Sequence, residues 1–265
     1  MMKMSKIRSF FVILHSAAIG ANGFPRSRHT FINQKSIDDM VYQLSNDSLD
    51  FPNPYLGDPD GLIAVGGDLS VDRLIFASSN GIFPWYSFRD CDEILWFCPL
   101  RRFVIFPGEI HVSHSMRTFF NRNKDRYVCT IDADFETVIH KCSELRINEE
   151  GAWLGDDMIN AYTELYRQGM AHSVEVWDEE AGTIIGGLYG VGIGTCFFGE
   201  SMFSLAPNAS KMALIHLARF MQKNGGRMID CQFETPHLKS MGGRYISYKE
   251  YMDIVNDDGV LTVSD

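Results

Sequence analysis

Three side chains stand where a soluble protein would not place them without a partner. Glu200 lies in Phe197-Phe198-Gly199-Glu200-Ser201-Met202-Phe203, an apolar run in which an unpaired carboxylate is costly to bury, so a partner or a ligand is expected. Strand alternation would put Phe197, Gly199, Ser201 and Phe203 on one side and Phe198, Glu200 and Met202 on the other. Ile229-Asp230-Cys231-Gln232 repeats the theme at the end of a buried strand, with Asp230 and Gln232 on a common face at period two. An amide has no titratable proton near neutrality, so Gln232 would orient an attacking group while Asp230 polarises it. Structural roles remain open for both motifs: hydrogen bonding to a neighbouring strand at Glu200, and a turn cap at Asp230.

Other chemistry is less well supported. Cys231 with His237 could be a thiol–imidazole pair, but strand neighbours point to opposite faces. His111 and His114 form an H-x-x-H without a third ligand nearby, and no metal is expected. Gly186-Gly187 and the glycines at 190, 192 and 194 sit between strands with no helix start behind them, so they suit a hairpin and the close approach of a ligand backbone better than a phosphate cradle. Arg101, Arg102, Arg117, Arg122, Lys124 and Arg126 form the one basic stretch of the body and are the candidate phosphate contacts.

The elements that must hold these residues can be read in part. The stripe Ile37, Met40, Val41 and Leu44 predicts a short helix over 36 to 46. Phe51 to Asp68, rich in Pro and Gly, reads as an ordered loop, and Ser70 caps a helix from 71 to 80 that Gly81 terminates. Ile82 to Tyr86 would be a Pro-restrained turn bearing aromatics. Strands are expected at 94–97 and 103–106, then helices at about 114–122, 133–145 and 156–168. The runs 172–177, 183–190 and 195–203 form an antiparallel meander. It is followed by a helix to about 224, capped by Asn208 or Ser210, then a buried strand over 228–232 and two short helices, the last opened by the capping box Ser247 and Glu250. Three antiparallel strands, a helix and a further strand make an acyltransferase-type α/β layer, which by itself assigns no chemistry.

The 265 residues are 45% hydrophobic and 22% charged, which excludes disorder as the dominant state. A net charge of −10 excludes a general nucleic-acid coat and leaves room only for a local basic face. Six cysteines with no C-x-x-C pair suggest buried, reduced thiols, and no apolar run is long enough to span a membrane. Residues 1 to 37 carry Lys3, Lys6, Arg8, Arg26, Arg28 and Lys35 without one acid. They are read as a targeting segment, a translated extension or a packed helix, separate from a small domain over 38–110 and a larger one over 111–265.

Taken together, several words resemble the leucyl/phenylalanyl-tRNA–protein transferase family: Gly61 to Leu69, Gly81-Ile82-Phe83-Pro84-Trp85, Ala171 to Trp177, Gly199 to Ser204, Ala209-Ser210-Lys211 and Ile229 to Gln232, spread over roughly residues 50 to 255. The resemblance implies an α+β fold, with a GNAT-like acyltransferase C-terminal domain and a smaller N-terminal α/β domain. It implies transfer of Leu or Phe, less well Met, from aminoacyl-tRNA to proteins starting with Arg or Lys, a mark for N-end-rule degradation. No cofactor is expected, and the chain would be a cytoplasmic monomer without membrane association, or would work in an organelle stroma once its leader is removed. By motif, Trp85, Trp153 and Tyr162 would help form the aminoacyl and adenosine pocket, with Phe197, Phe203 and Ser201 beside them. Glu200, Asp230 and Gln232 would be catalytic, Asp230 and Gln232 handling the amine while Glu200 and Asp230 attract the cationic residue. Where the family pattern has Ala-Tyr, this chain has Ala77-Ser78, which removes one aromatic near the terminal adenosine. The rivals are a CoA-dependent N-acetyltransferase and a non-catalytic aminoacyl-tRNA or degron binder.

Overall fold

The computed structural model describes residues 41–86, 93–146, 155–257, 259 and 261, and everything below concerns these. The helix expected over 36 to 46 is not formed in its described part. Tyr42–Leu44 is strand β1, parallel to β2 (Leu62–Gly66), with Tyr42 opposite Ala64 and Leu44 opposite Gly66; residues 36–40 lie outside the described residues. So short a helix is marginal by itself, and a neighbouring strand supplies backbone partners instead. β2 likewise falls inside the segment expected to be loop.

Helix α1 (Val71–Ser79) follows as expected, with Ser70 Oγ accepting from the Arg73 amide at 3.4 Å and Gly81 in the left-handed region at φ 71°. The expected aromatic turn is strand β3 (Phe83–Tyr86), antiparallel to β4 (Ile94–Phe97). Pro84 is tolerated because β3 is the edge of the four-stranded order β1-β2-β4-β3. Trp96, fully buried, donates its indole N–H to the Gly66 carbonyl at 2.9 Å and ties the centre of this sheet together.

The second sheet has seven strands: β5 (Arg101–Ile105), β6 (Tyr127–Ile131), β7 (Ala171–Asp178), β8 (Thr183–Ile193), β9 (Cys196–Ser204), β10 (Met228–Asp230) and β11 (Arg244–Ser247), in the order β11-β5-β10-β9-β8-β7-β6. β5 therefore pairs within the larger sheet, and the two sheets part around Pro99-Leu100, ahead of position 110. The meander β7-β8-β9 is antiparallel, as its alternation predicts, and β10 returns parallel to β9. The two edge strands β6 and β11 had no sequence signal of their own; β6 is only half-buried along its whole length.

Helices α2 (His114–Asn123), α3 (Phe135–Arg146), α4 (Asp156–Arg167) and α5 (Ala209–Lys223) lie where the apolar spacing put them. The cap of α5 differs. Asn208 is left-handed at φ 67° and its side chain caps nothing; the hydroxyl of Ser204, still on β9, accepts from the Ser210 amide at 3.3 Å. Two short helices, α6 (Pro236–Ser240) and α7 (Tyr248–Val255), are the last among the described residues, and Ser247 Oγ accepts from Glu250 N at 3.2 Å at the start of α7. The seven-stranded sheet is covered on both faces. Met212, Ile215, Leu217 and Met221 of α5 and Met116 of α2 pack on one; Phe135, Ile139, Met158, Tyr162 and Tyr251 join the small sheet on the other.

Candidate active site

The site begins with a break in strand regularity. β8 and β9 pair Tyr189 with Ser201 but Gly190 with Gly199, so Glu200 is the extra residue of a β-bulge. A bulge reverses side-chain parity beyond it. Phe197 and Phe203, expected on one side of the strand, belong to opposite core layers: Phe197 packs with α5, Phe203 with Phe198 and the far layer. Gly190 makes the bulge possible, since a Cβ there would run into the Phe198 carbonyl and the Phe197 ring. The glycines of β8 thus admit the protein's own chain, with Gly186 against Ala209 and Gly187 against Phe203, where approach of a ligand backbone was expected. Gly190→Ala is expected to destabilise the protein by about 3 kcal/mol or more, measured as a lowered midpoint of urea unfolding.

β10 accompanies β9 only from Cys196 to Phe198, ending with Asp230 beside Phe198. Past that point the strands separate, and a cavity of about 510 Å³ opens between Gly199-Glu200-Ser201 and Cys231-Gln232-Phe233. Its apolar wall comes from Leu188, Phe197, Leu214, Leu217 and Ile229. Facing it are Phe83 and Trp85 of the small sheet, with Phe233 against both at ring-centroid distances of 5.7 and 5.3 Å. Glu200, Asp230, Gln232, Trp85, Phe197, Phe203 and Ser201 all line this one cavity. Tyr162 lies buried behind Glu200, and Trp153 lies outside the described residues.

The two acids have different surroundings. Asp230 is fully buried and saturated: the Arg102 guanidinium lies 3.1 Å away, the Tyr251 hydroxyl donates at 2.8 Å and the Gln232 amide N–H donates at 2.9 Å. Its charge is already matched, which leaves little to attract a cation. Glu200 has no ion pair among the described residues. Burial raises its carboxyl pKa to about 8; the nearby Asp230 charge adds to this, while the Tyr162 hydroxyl and Arg102 oppose it. Glu200 is therefore the acid of the cavity whose proton is exchangeable near neutrality.

Gln232 is not on the strand. It sits beyond β10 at φ 56°, held by its backbone N–H on Asp230 rather than by its side chain. Its side-chain amide has no partner among the described residues, and neither do the buried Ser201 Oγ and His237 Nε2. These three polar groups are available to a bound ligand. Cys231 is no nucleophile: burial pushes its thiol strongly up, and Sγ leans on the Ile229 carbonyl at 3.7 Å. Among the described residues no group of three His, Cys, Asp or Glu side chains could hold a metal, and no helix is long and apolar enough to cross a membrane.

Arg102, expected among the phosphate contacts, is 2% exposed. It spans the two sheets: besides Asp230 it donates to the Gly81 carbonyl, and its guanidinium lies 4.7 Å from the Phe83 ring and 4.9 Å from that of Tyr251. Adjacent arginines on a strand face opposite ways, one outward and one inward, which composition alone could not assign. Arg126 is also engaged, by Asp178 at 2.6 Å. Arg101, Arg117, Arg122 and Lys124 remain exposed. Tyr251→Phe keeps the ring and removes the 2.8 Å donor to Asp230, so we expect a loss of about 1.5–3 kcal/mol, read from thermal unfolding at neutral pH.

Fold and cavity define the class: a mixed α/β protein whose two sheets close a largely apolar cavity around an acid without an ion pair among the described residues. Comparison with known proteins identifies the family. A family model described as leucyl/phenylalanyl-tRNA protein transferase matches residues 104–256, and the model of that enzyme's N-terminal domain matches 67–100. Proteins named leucyl/phenylalanyl-tRNA–protein transferase from Pseudomonas fluorescens and Desulforapulum autotrophicum are each 48% identical, over 81% and 80% of this chain and 93% and 90% of theirs. One from Nitrosospira multiformis is 48% identical over 80% of this chain and 89% of its own. The chain belongs to the leucyl/phenylalanyl-tRNA–protein transferase family. Among solved structures, L-PGS from Bacillus licheniformis aligns with 74% of this chain and 71% of its own at a TM-score of 0.40 and 13% identity, too distant to add to the argument.

Proposed function

We propose that this protein transfers Leu or Phe, and more weakly Met, from the 3′ end of aminoacyl-tRNA to the amino terminus of proteins that begin with Arg or Lys. The observation that carries the reading is one cavity holding an apolar wall, an unpartnered amide and an uncompensated acid between the parted ends of β9 and β10. The Leu or Phe side chain fits against Leu188, Phe197, Leu214, Leu217 and Ile229. A pocket of this kind separates side chains differing by one methylene by only about 1–3 kcal/mol, hence the leak to Met. Trp85, Tyr162 and Trp153 would complete the pocket for the aminoacyl group and the terminal adenosine. The β7–β10 meander with its crossover helix would be the GNAT-like acyltransferase layer.

An aminoacyl ester is already activated, so catalysis consists of positioning an unprotonated amine against the ester carbonyl. The amine lone pair forms the new C–N bond and the bond from the carbonyl carbon to the ribose oxygen breaks. The amine proton passes to Glu200, which hands it on to the ribose oxygen, so the ribose leaves as a hydroxyl and the carboxylate is regenerated. Gln232 would orient the amine, and Asp230 would act through the turn it holds. Of the two acids, Glu200 is the one that can gain an unmatched charge for the cationic residue, by releasing its proton when that residue binds. The enzyme would work as a monomer, in the cytoplasm or an organelle stroma where aminoacyl-tRNA is present. Incubation with Phe-tRNA and an Arg-starting peptide should add one phenylalanine to the peptide's amino terminus by mass spectrometry; acetylation from acetyl-CoA with no phenylalanine added would overturn the reading.

A further inference from the structure

Cations are distributed unevenly over this acidic chain. Arg73, Arg102, Arg126, Lys141, Arg167 and Arg227 each have a carboxylate partner, as do Lys239, Arg244 and Lys249. Among the residues whose side chains are described, those without an ion pair fall mainly on two helices: Arg117, Arg122 and Lys124 on or just after α2, and Lys211, Arg219 and Lys223 on α5. Arg101, stacked on Tyr245 at 4.7 Å, is the exception in place. Neither helix contains an acid, although the chain has 34.

The two helices share a surface. The Arg219 guanidinium lies over the Phe120 ring at 5.5 Å. Arg117 and Lys124, three residues before and four after Phe120, share its side of α2, and Lys223 is one turn beyond Arg219. Lys223 alone could be explained by the C-terminal end of the helix dipole; Arg219 could not. The surface also leads away from the cavity. Ser210 and Leu214 of α5 line it, as does His237, whose imidazole pKa is lowered by burial and further by the nearby Lys211 charge. From Lys211 to Lys223 the helix rises about 18 Å, the span of several phosphates.

We propose that the body of the tRNA docks on this α2–α5 surface, with Arg219 and Lys223 as phosphate contacts beside Arg117 and Lys124. The inference deepens the proposed function and rests on it. An A-form stem is gripped through backbone phosphates and shape, so the surface reads no sequence and accepts any tRNA whose 3′ end reaches the cavity. Sequence proximity could show only the α2 half, because α5 is some ninety residues downstream.

The test compares the parent with an Arg219→Gln/Lys223→Gln variant and with a Lys141→Gln/Lys249→Gln variant of equal charge change. Affinity for uncharged tRNA is read by fluorescence anisotropy over a range of KCl, and Phe transfer is measured from Phe-tRNA and from 3′-phenylalanyl-adenosine. For two lost phosphate contacts the log–log salt slope should become shallower by about 1.5. Affinity and kcat/KM with Phe-tRNA should fall at least about tenfold at low salt, with transfer from phenylalanyl-adenosine unchanged and the control variant matching the parent. An α5 variant that binds tRNA like the parent, or a control that weakens as much, overturns the surface. A parent that binds tRNA with the steep slope and transfers nothing overturns the proposed activity and leaves the surface supported.

Discussion

Glu200→Gln should lower kcat/KM for Phe transfer by about 10²–10⁴-fold while the protein stays folded. The substitution keeps the shape that occupies the bulge and removes the carboxylate assigned to take the amine proton. A base must be unprotonated to act, so parent kcat/KM should rise with pH through about 8, where Glu200 titrates in the empty site. The acceptor's own α-amine titrates at about 7.7–8.0, so two protons must be lost and the limiting slope of log kcat/KM approaches two. In Glu200→Gln only the amine's titration remains, and the slope falls to one. An unchanged slope would take the proton-accepting role away from Glu200. Stability follows the same group with the opposite sense. The folded state retains this proton up to about pH 8, whereas the unfolded chain releases it near 4.5. The contribution is therefore complete below 4.5 and disappears as pH rises through 8, and Glu200→Gln should be the more stable protein at pH 9.

Asp230→Ala should be the most destabilising change at the site, costing about 3–5 kcal/mol, and should abolish transfer. It leaves the Arg102 guanidinium buried without a counter-charge, the Tyr251 hydroxyl without its acceptor and the Gln232 turn without the carboxylate that holds its N–H. Denaturant unfolding gives the size of the loss. Adding Arg102→Met removes the stranded charge and should recover much of the stability, since a buried ion pair is often replaceable by apolar groups of similar volume. Transfer should not return, because the left-handed turn at Gln232 still lacks its anchor. Recovery of both would make Asp230 a purely structural residue.

Much of the fold was legible wherever periodicity ran for a dozen residues or matched a hairpin: α2 to α5 and the β7–β9 meander lie where their apolar spacing puts them. β1 has the apolar spacing of a helix because three or four apolar residues satisfy either period, and its strand partner lies some twenty residues on. β6 and β11 are edges whose half-exposed residues leave little alternation. At the site, residue types were legible and geometry was not. The bulge at Glu200 comes from pairing with Gly190, so the parity of Phe197 and Phe203 could not be read along one strand. Gln232 looked like a period-two partner of Asp230 and proved to be a turn residue, because its positive φ is set by the Asp230 carboxylate. Arg102 belongs by sequence with its basic neighbours, while its partner is 128 positions away in the chain.

The proton on Glu200 can be followed directly by carbon-13 NMR of the side-chain carboxyl, across pH, with and without an Arg-starting peptide. A midpoint close to 8 in the free protein is predicted, moving down by a unit or more when the cationic residue binds and staying in place with a peptide that begins with Glu. A midpoint near 4.5 that ignores the peptide would contradict the account.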